Sequence, residues 1–447
     1  MNKNLALSDS FLWSKYPQAK LLQPTGGILS GLVRLSGSHT STNFDLAATN
    51  LDNMTRIFPH LAGSNGVDVT NDAIGGAGAD TNPELAWIRA IMEGGERYAT
   101  LACDDNDFIT STGNELGASA LDLDTIPRCS KKELANPKCT YVAPDKSKPI
   151  RWVKGYSLTN KCEKLVPAVM SHLYLNPSPA EKFWQMISTG VAAHVTLEAA
   201  LNGAICEVVE RDAIAMTWLA KLPLSKIQLP AVAPATLAPN LSVLNQGLVK
   251  HHCFDATTDV GIPTVYAVQT LEGCDRMAQY VNCSTEFDAS VAYAKTIREA
   301  GPARVVFEDG YTPPDNVEDF QSLYDGAAYL GRPEHRHEFN FLLNTPNQID
   351  LANVKLAAPS DDKGRLNFLI NRLREMDMEI IAVDLTTDEL RELGIWVVRV
   401  VIPGLMPMSV DYRAKFLGTP RLYDYYKKAG FGTITEEDIN RAPQPFA

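Results

Sequence analysis

Apolar and polar positions follow two different periods along this chain, and the periods alternate. Apolar residues every three to four positions predict helices; alternating or short continuous apolar runs predict strands. The segment "PELAWIRAIMEGGERYATLA" (83–102) carries Leu85, Ile88, Ile91 and Met92 at helical spacing, with Ala86 and Trp87 beside them. Asp80, Thr81 or Asn82 ahead of Pro83 predicts its start: a short polar side chain satisfies a free N–H of the first turn, and Pro has none to satisfy. "TLEAALNGAICEVVERDAIAMTWLAKL" (196–222) predicts a second helix capped by Thr196, and "STEFDASVAYAKTIREAG" (284–301) a third capped by Ser284. "KPIRWVKGYSLT" and "GIPTVYAVQTL" read as strands. Residues 365–404 read as helix, strand, short capped helix, strand. "GGILSGLVRLSG" reads as a strand pair, "NFDLAATNLDNMTRIFPHLAG" as a helix, "GGAGAD" (75–80) as a tight turn, "STGVAAHV" as a turn-rich approach to the second helix, and "LPAVAPATLAPN" as a surface connection. Alternation of the two element types excludes all-α and all-β classes. The expected organisation is an N-terminal extension over 1–70 packed on one large domain, 71–447.

Charge and composition narrow the function classes. The 447 residues are 45% hydrophobic and 21% charged, with net charge −12. A sequence-independent nucleic-acid binder needs a basic footprint, so that class is disfavoured. No run approaches eighteen apolar residues, which predicts no membrane span. The first residues lack a charged segment followed by an apolar one, which predicts no secretory signal and a cytoplasmic chain. Eight cysteines include no C-x-x-C pair. Cys129, Cys139 and Cys162 match no zinc spacing, so buried free thiols are expected.

One pattern exceeds what folding requires. "ELAWIRAIMEGGER" from Glu84 and "EAALNGAICEVVER" from Glu198 agree at seven of fourteen positions, including three Glu and one Arg in register. Shared apolar positions are generic to amphipathic helices; shared acids are not, and the pair reads as a diverged internal duplication. The third helix fits weakly, with Ala292 and Glu299 in the places of Ala86 and Glu93. Glu93, Glu96 and Arg97 lie at i, i+3 and i+4 on one helix face, as do Glu207, Glu210 and Arg211. Carboxylates crowded beside apolar surface repel one another unless a cation sits among them. Mg2+ takes oxygen ligands and bridges one or two acids to nucleotide phosphates, and Arg grips carboxylate or phosphate with two donors. Two such helices facing each other would make an acid-lined, magnesium-loaded nucleotide site; the alternative is two solvated helix faces with ordinary Glu–Arg pairs. Phosphate sites usually carry a P-loop or a dinucleotide fingerprint, and neither is present. His194, just ahead of the second acidic helix, is placed either to help bind an anion or to serve as a satisfied structural histidine.

The acidic helices, together with "VVRVVIPGLMPMS", "FLGTPRLYDY" and the C-terminal "APQPFA", resemble the YcaO superfamily, and more closely its stand-alone cyclodehydratases of thiazole and oxazole peptide biosynthesis. The resemblance runs from about residue 70 to the end. It implies an α+β fold that binds ATP without a P-loop, with Mg2+ and the phosphates held by the acidic helices. Carried over by position, Glu93, Glu96, Glu207 and Glu210 take the metal. Glu84, Arg89, His194, Glu198, Arg211, Lys295 and Glu299 support the nucleotide. The chain departs from the family pattern at Ala77, where many members have Lys, and at His194 and Ala199. The Pro-rich tail, Pro443, Pro445 and Ala447, is implied to insert near the chemistry, its terminal carboxylate accepting a proton. The implied reaction makes azolines: a Cys, Ser or Thr side chain of a precursor peptide attacks the preceding amide, whose oxygen is phosphorylated by ATP and lost. Thioamide or amidine formation uses the same ATP chemistry, and the departures also fit a degenerate scaffold subunit. Implied partners are the precursor peptide, a leader-binding protein and a flavin-dependent azoline dehydrogenase, in a homodimer or larger synthetase complex.

Overall fold

Three antiparallel hairpin layers and three long helices build the fold; the computed structural model describes residues 14–22, 27–35, 44–51, 54–58, 60–61, 75–308 and 310–446. The first sheet has the order β1 (Leu29–Leu35), β2 (Asp45–Leu51), β3 (Gly75–Asp80). The second has the order β4 (Ile109–Thr112), β5 (Pro149–Ser157), β13 (Ile381–Asp384), β14 (Trp396–Val401), β7 (Val191–His194), with β6 (Cys162–Pro167) beside β5. The third runs β11 (Gln279–Thr285), β10 (Thr264–Thr270), β9 (Lys250–Asp255), β8 (Ser225–Gln228), β12 (Gln348–Asp350), where only β8 and β12 pair in parallel.

The helices that matter for the site are α1 (Pro83–Leu101), α2 (Leu197–Leu219) and α3 (Ala289–Glu308). Asn82 caps α1 by accepting the Glu84 N–H, with Pro83 at its first position; Thr196 caps α2 by accepting the Ala199 N–H. Each helix follows one strand, and each of those strands, β3, β7 and β11, is the edge of its sheet. The three strand–helix units close into a ring. Helix α1 packs on β3 and on β7, α2 on β7 and on β11, and α3 on β11 and back on β3. The duplication read in the sequence is therefore a triplication in space. The long apolar half of α2, from Ala213 to Leu219, anchors it in a core with Phe254, Tyr266, Met406 and Phe416.

Several local expectations are corrected. Residues 75–80 are strand β3, not a turn. The glycines serve close packing: a Cβ on Gly76 would come 2.1 Å from the Ala90 carbonyl, and on Gly78 2.0 Å from that of Ala86. Only a bare strand lets helix α1 press this closely. Facing β3, α1 presents small residues, Ala86, Ala90 and Gly94; Ile91, Tyr98 and Leu101 are buried as well, whereas Leu85 is exposed. Residues 45–51 are strand β2, because pairing on both sides, to β1 and to β3, overrides local helical spacing. Residues 29–35 form one strand rather than a pair, and 191–194 form strand β7 rather than a turn. Helix α3 starts at Ala289, leaving Ser284 inside β11, and a short helix, Ala238–Leu244, begins in the last residues of the expected surface connection. The boundary expected near residue 70 lies outside the described residues. All eight cysteines are free; Cys206, Cys253 and Cys283 are buried, but Cys162 is exposed at the start of β6. Among the described residues no helix is long and apolar enough to cross a membrane.

Candidate active site

An edge strand leaves a row of backbone N–H groups without partners, and burying them is costly. Here the repeated glutamates take them. Glu93 accepts the Ala77 N–H of β3 at 2.9 Å, and Glu207 accepts the Gly190 N–H just before β7, also at 2.9 Å. In each case the other carboxylate oxygen accepts from the Arg four residues on, Arg97 or Arg211, at 3.0 Å. The second glutamate of each helix reaches to the next unit of the ring. Glu96 of α1 accepts the Ala193 N–H of β7, and Glu210 of α2 accepts the Thr285 N–H of β11 at 3.0 Å. Gly190 makes this possible: its φ of +81° turns the chain toward Glu207, and a Cβ there would lie 2.4 Å from the Val400 carbonyl.

This geometry brings the two acidic helices together across β7. Burial pushes the Glu96 carboxyl up to about 8; Arg97 opposes the rise, and Glu207 and Glu93 add to it. Burial likewise pushes Glu210 up to about 7, opposed by Arg211 and Lys295. Burial works against the Arg97 charge, yet Glu93, Glu96 and Glu207 together hold it above the ordinary guanidinium range. Carboxyl groups that hold protons at neutral pH because they are buried would give them up to a bound cation. Among the described residues no three His, Cys, Asp or Glu groups converge tightly enough to hold a metal ion alone.

The remaining predicted residues divide into two sets. Lys295 joins the acids: it pairs with Glu286 at 3.2 Å and Glu299 at 3.9 Å, and these with Glu210 raise its pKa despite burial. Arg211 bonds Glu210 at 2.5 Å as well as Glu207. Glu84 and Glu198 lie in the first turns of α1 and α2, nine residues or about 13 Å before Glu93 and Glu207. Both therefore flank the acidic cluster rather than join it. Glu84 pairs with Lys15 and accepts the Tyr16 hydroxyl at 3.5 Å. Arg89 pairs with Asp80 at 3.2 Å, near Arg298 of α3, at the third junction of the ring. His194 is exposed at the end of β7, opposite Trp396.

Residues 443–446 are buried. The Trp218 indole donates to the Pro443 carbonyl at 2.8 Å, and Phe446 packs edge-on against Tyr266 at 5.3 Å. Lys415, 8% exposed, donates to the carbonyls of Asn440, Arg441 and Ala442 at 3.2–3.3 Å. Ala447 lies outside the described residues.

Three residues escaped the sequence reading. Arg399 of β14 is 3% exposed and lies close to Glu207, Glu96 and Arg97; burial lowers it to about 10, with the two glutamates opposing. Its signal was a charge inside an apolar strand, "VVRVV". Asp212, fully buried, accepts from Arg421 and from the Met406 N–H and so fixes α2 beyond the acids. Its signal was an acid opening the apolar half of α2. Lys415 gave none.

A family model described as YcaO cyclodehydratase, ATP- and Mg2+-binding, matches residues 76–406. An uncharacterized protein of Methanothermobacter thermautotrophicus is 26% identical over 338 residues, 75% of this chain and 82% of that one. A heterocyclase solved in complex with substrate and cofactor superposes with TM-score 0.79 at 21% identity, over 98% of this chain. This chain spans 57% of that heterocyclase's length. A YcaO from Methanopyrus kandleri, solved with AMPPCP and Mg2+, gives TM-score 0.62 at 16% identity, covering 91% of this chain and 92% of that one.

Proposed function

The chain belongs to the YcaO family, ATP- and Mg2+-dependent enzymes, and we propose that it converts Cys, Ser or Thr residues of a ribosomal precursor peptide to azolines. One observation carries this reading: two helices with the same Glu-x-x-Glu-Arg motif meet at one strand, with Glu96 and Glu207 facing each other's charge. When bound, Mg–ATP supplies the phosphoryl group that turns an amide oxygen into a leaving group. Glu93, Glu96, Glu207 and Glu210 hold the metal. Each has an oxygen on a backbone N–H, and the other oxygen of Glu93, Glu207 and Glu210 accepts from Arg97 or Arg211, which fixes the carboxylates before the ligand arrives. Arg97 and Arg211 orient the acids and offer donors to phosphate. Lys295 and Glu299 extend the polar wall at the third unit, and Glu84, Arg89, His194 and Glu198 flank the nucleotide. The work of the protein is positioning and charge neutralisation.

The buried tail, Pro443 to Phe446, lies along the C-terminal end of α2, and its last residues are proposed to approach the reacting amide. A leader-binding partner protein is proposed to present the peptide. A flavin-dependent dehydrogenase acting on the azoline is proposed downstream, and the setting is proposed to be cytoplasmic. The test is incubation with precursor peptide, partner, ATP and Mg2+. Loss of 18 Da per modified residue, the mass of water, together with phosphate release, is expected. Phosphate release with oxygen exchanged for sulfur would redirect the reading to thioamide chemistry, and no ATP turnover would mark a scaffold.

A further inference from the structure

A cleft of about 30 Å3 opens beside the acidic cluster, between the segment leading into β7 and the segment following β14. Its wall is mostly apolar, with Met170, Ile187, Val208, Met406 and Phe416, and Arg399 and Trp184 line it as well. The Arg399 Nε and the Trp184 Nε1 are each buried without a hydrogen-bond partner. Arg399 is otherwise committed, its Nη1 donating to the Ile187 carbonyl at 2.7 Å, and its charge lies beside Glu207 and Glu96. A buried donor left unpaired is costly, and native proteins seldom keep one without use. Two of them on the wall of one cleft call for an acceptor from outside.

The acceptor's chemistry follows from the wall. An anion has poor company here, since only one cation faces the cleft and two carboxylates already compete for it. An apolar ligand would leave both donors unpaired. A neutral carbonyl satisfies both, because one sp2 oxygen has two lone pairs. The space admits a carbonyl or one to two waters, not a bulky side chain. We infer that this cleft receives a backbone carbonyl of the precursor peptide, held by the Arg399 Nε–H and the Trp184 Nε1–H. It is thus the peptide's docking point beside the metal-binding acids. This rests on the peptide-modifying reading above and adds to it a specific contact. Through Arg399, the peptide side and the nucleotide side of the site share one side chain.

The experiment uses the full chain with 15N-labelled tryptophan and the probe N-acetyl-Gly-Cys-Gly-amide. Trp184→Phe identifies the Trp184 indole signal among the six tryptophans and removes the donor while keeping the ring packing. Adding the probe should move that signal saturably, and Mg–AMPPCP alone should not. Trp184→Phe should weaken probe binding about five- to tenfold, one hydrogen bond's worth, with Mg–AMPPCP affinity unchanged. An unmoved indole at saturating probe, or unchanged probe affinity in Trp184→Phe, overturns the inference and leaves water as the occupant. If the probe moves the indole but the wild-type chain never dehydrates peptide, the cleft stands and the azoline reading falls.

Discussion

Loading the site with Mg2+ and nucleotide should expel protons, and two residues set the number. Burial holds Glu96 at about 8 and Glu210 at about 7. At pH 7 the first carries about 0.9 of a proton and the second about 0.5. A divalent ion requires the ionised carboxylates, so binding should release about 1.4 protons at pH 7 and about 0.1 at pH 9. The same linkage makes Mg–nucleotide binding roughly twentyfold tighter at pH 9 than at pH 7. Stability of the metal-free fold moves the other way. The native form binds more protons than the unfolded chain between the ordinary carboxylate range and about pH 8, so its stability falls as pH rises through that window. Titration calorimetry with preformed Mg–AMPPCP, in buffers of different ionisation enthalpy, reads the proton count directly. Glu96→Gln should remove about 0.9 of a proton and leave the Glu210 share. A release near zero at pH 7, or one equal at pH 7 and pH 9, would refute the assignment of these carboxylates to the metal.

Glu207 touches both the Gly190 N–H and the charges of α1, so Glu207→Gln should lower Mg–nucleotide affinity by about 100-fold; affinity within about twofold of wild type would remove it from the ligand set. Gly78→Ala drives a methyl into the Ala86 carbonyl and should destabilise the fold by about 3 kcal/mol, read by thermal or urea unfolding. An unchanged midpoint would show that α1 can retreat from β3. Lys415→Met leaves three tail carbonyls without their donor. It should cut peptide-dependent turnover at least about tenfold while Mg–AMPPCP affinity stays within about twofold. Unchanged turnover would free the tail's position from Lys415.

What the sequence disclosed, and what it hid, follows from whether the cause was local. Helix α2 and the segment from Asp362 to Val401 were legible because caps, length and apolar period agree within each element. The acidic motif was legible because it recurs. Strand β3 was not: its glycines are there for the backbone of α1, a neighbour that only the fold supplies. Leu85 misled for the same reason: the face of α1 that meets β3 carries Ala86 and Ala90, and Leu85 is left exposed. Arg399 carried a local signal that the reading passed over, a charge in an apolar strand, and its proximity to Glu207 depends on how β14 pairs with β7. The ring itself was invisible, because its third junction carries Asp80, Arg89 and Arg298 in place of the acidic motif.

The glutamates that plug the free edges of β3, β7 and β11 serve as masonry as well as chemistry. A descendant that lost its nucleotide would still be penalised for losing these acids, since bare strand margins invite stray pairing with other chains. Retention of Glu-x-x-Glu-Arg in a distant cousin is thus poor proof that the cousin is a working enzyme. Groups with no such architectural duty, such as the indole N–H of Trp184, are the more sensitive gauge of a living site.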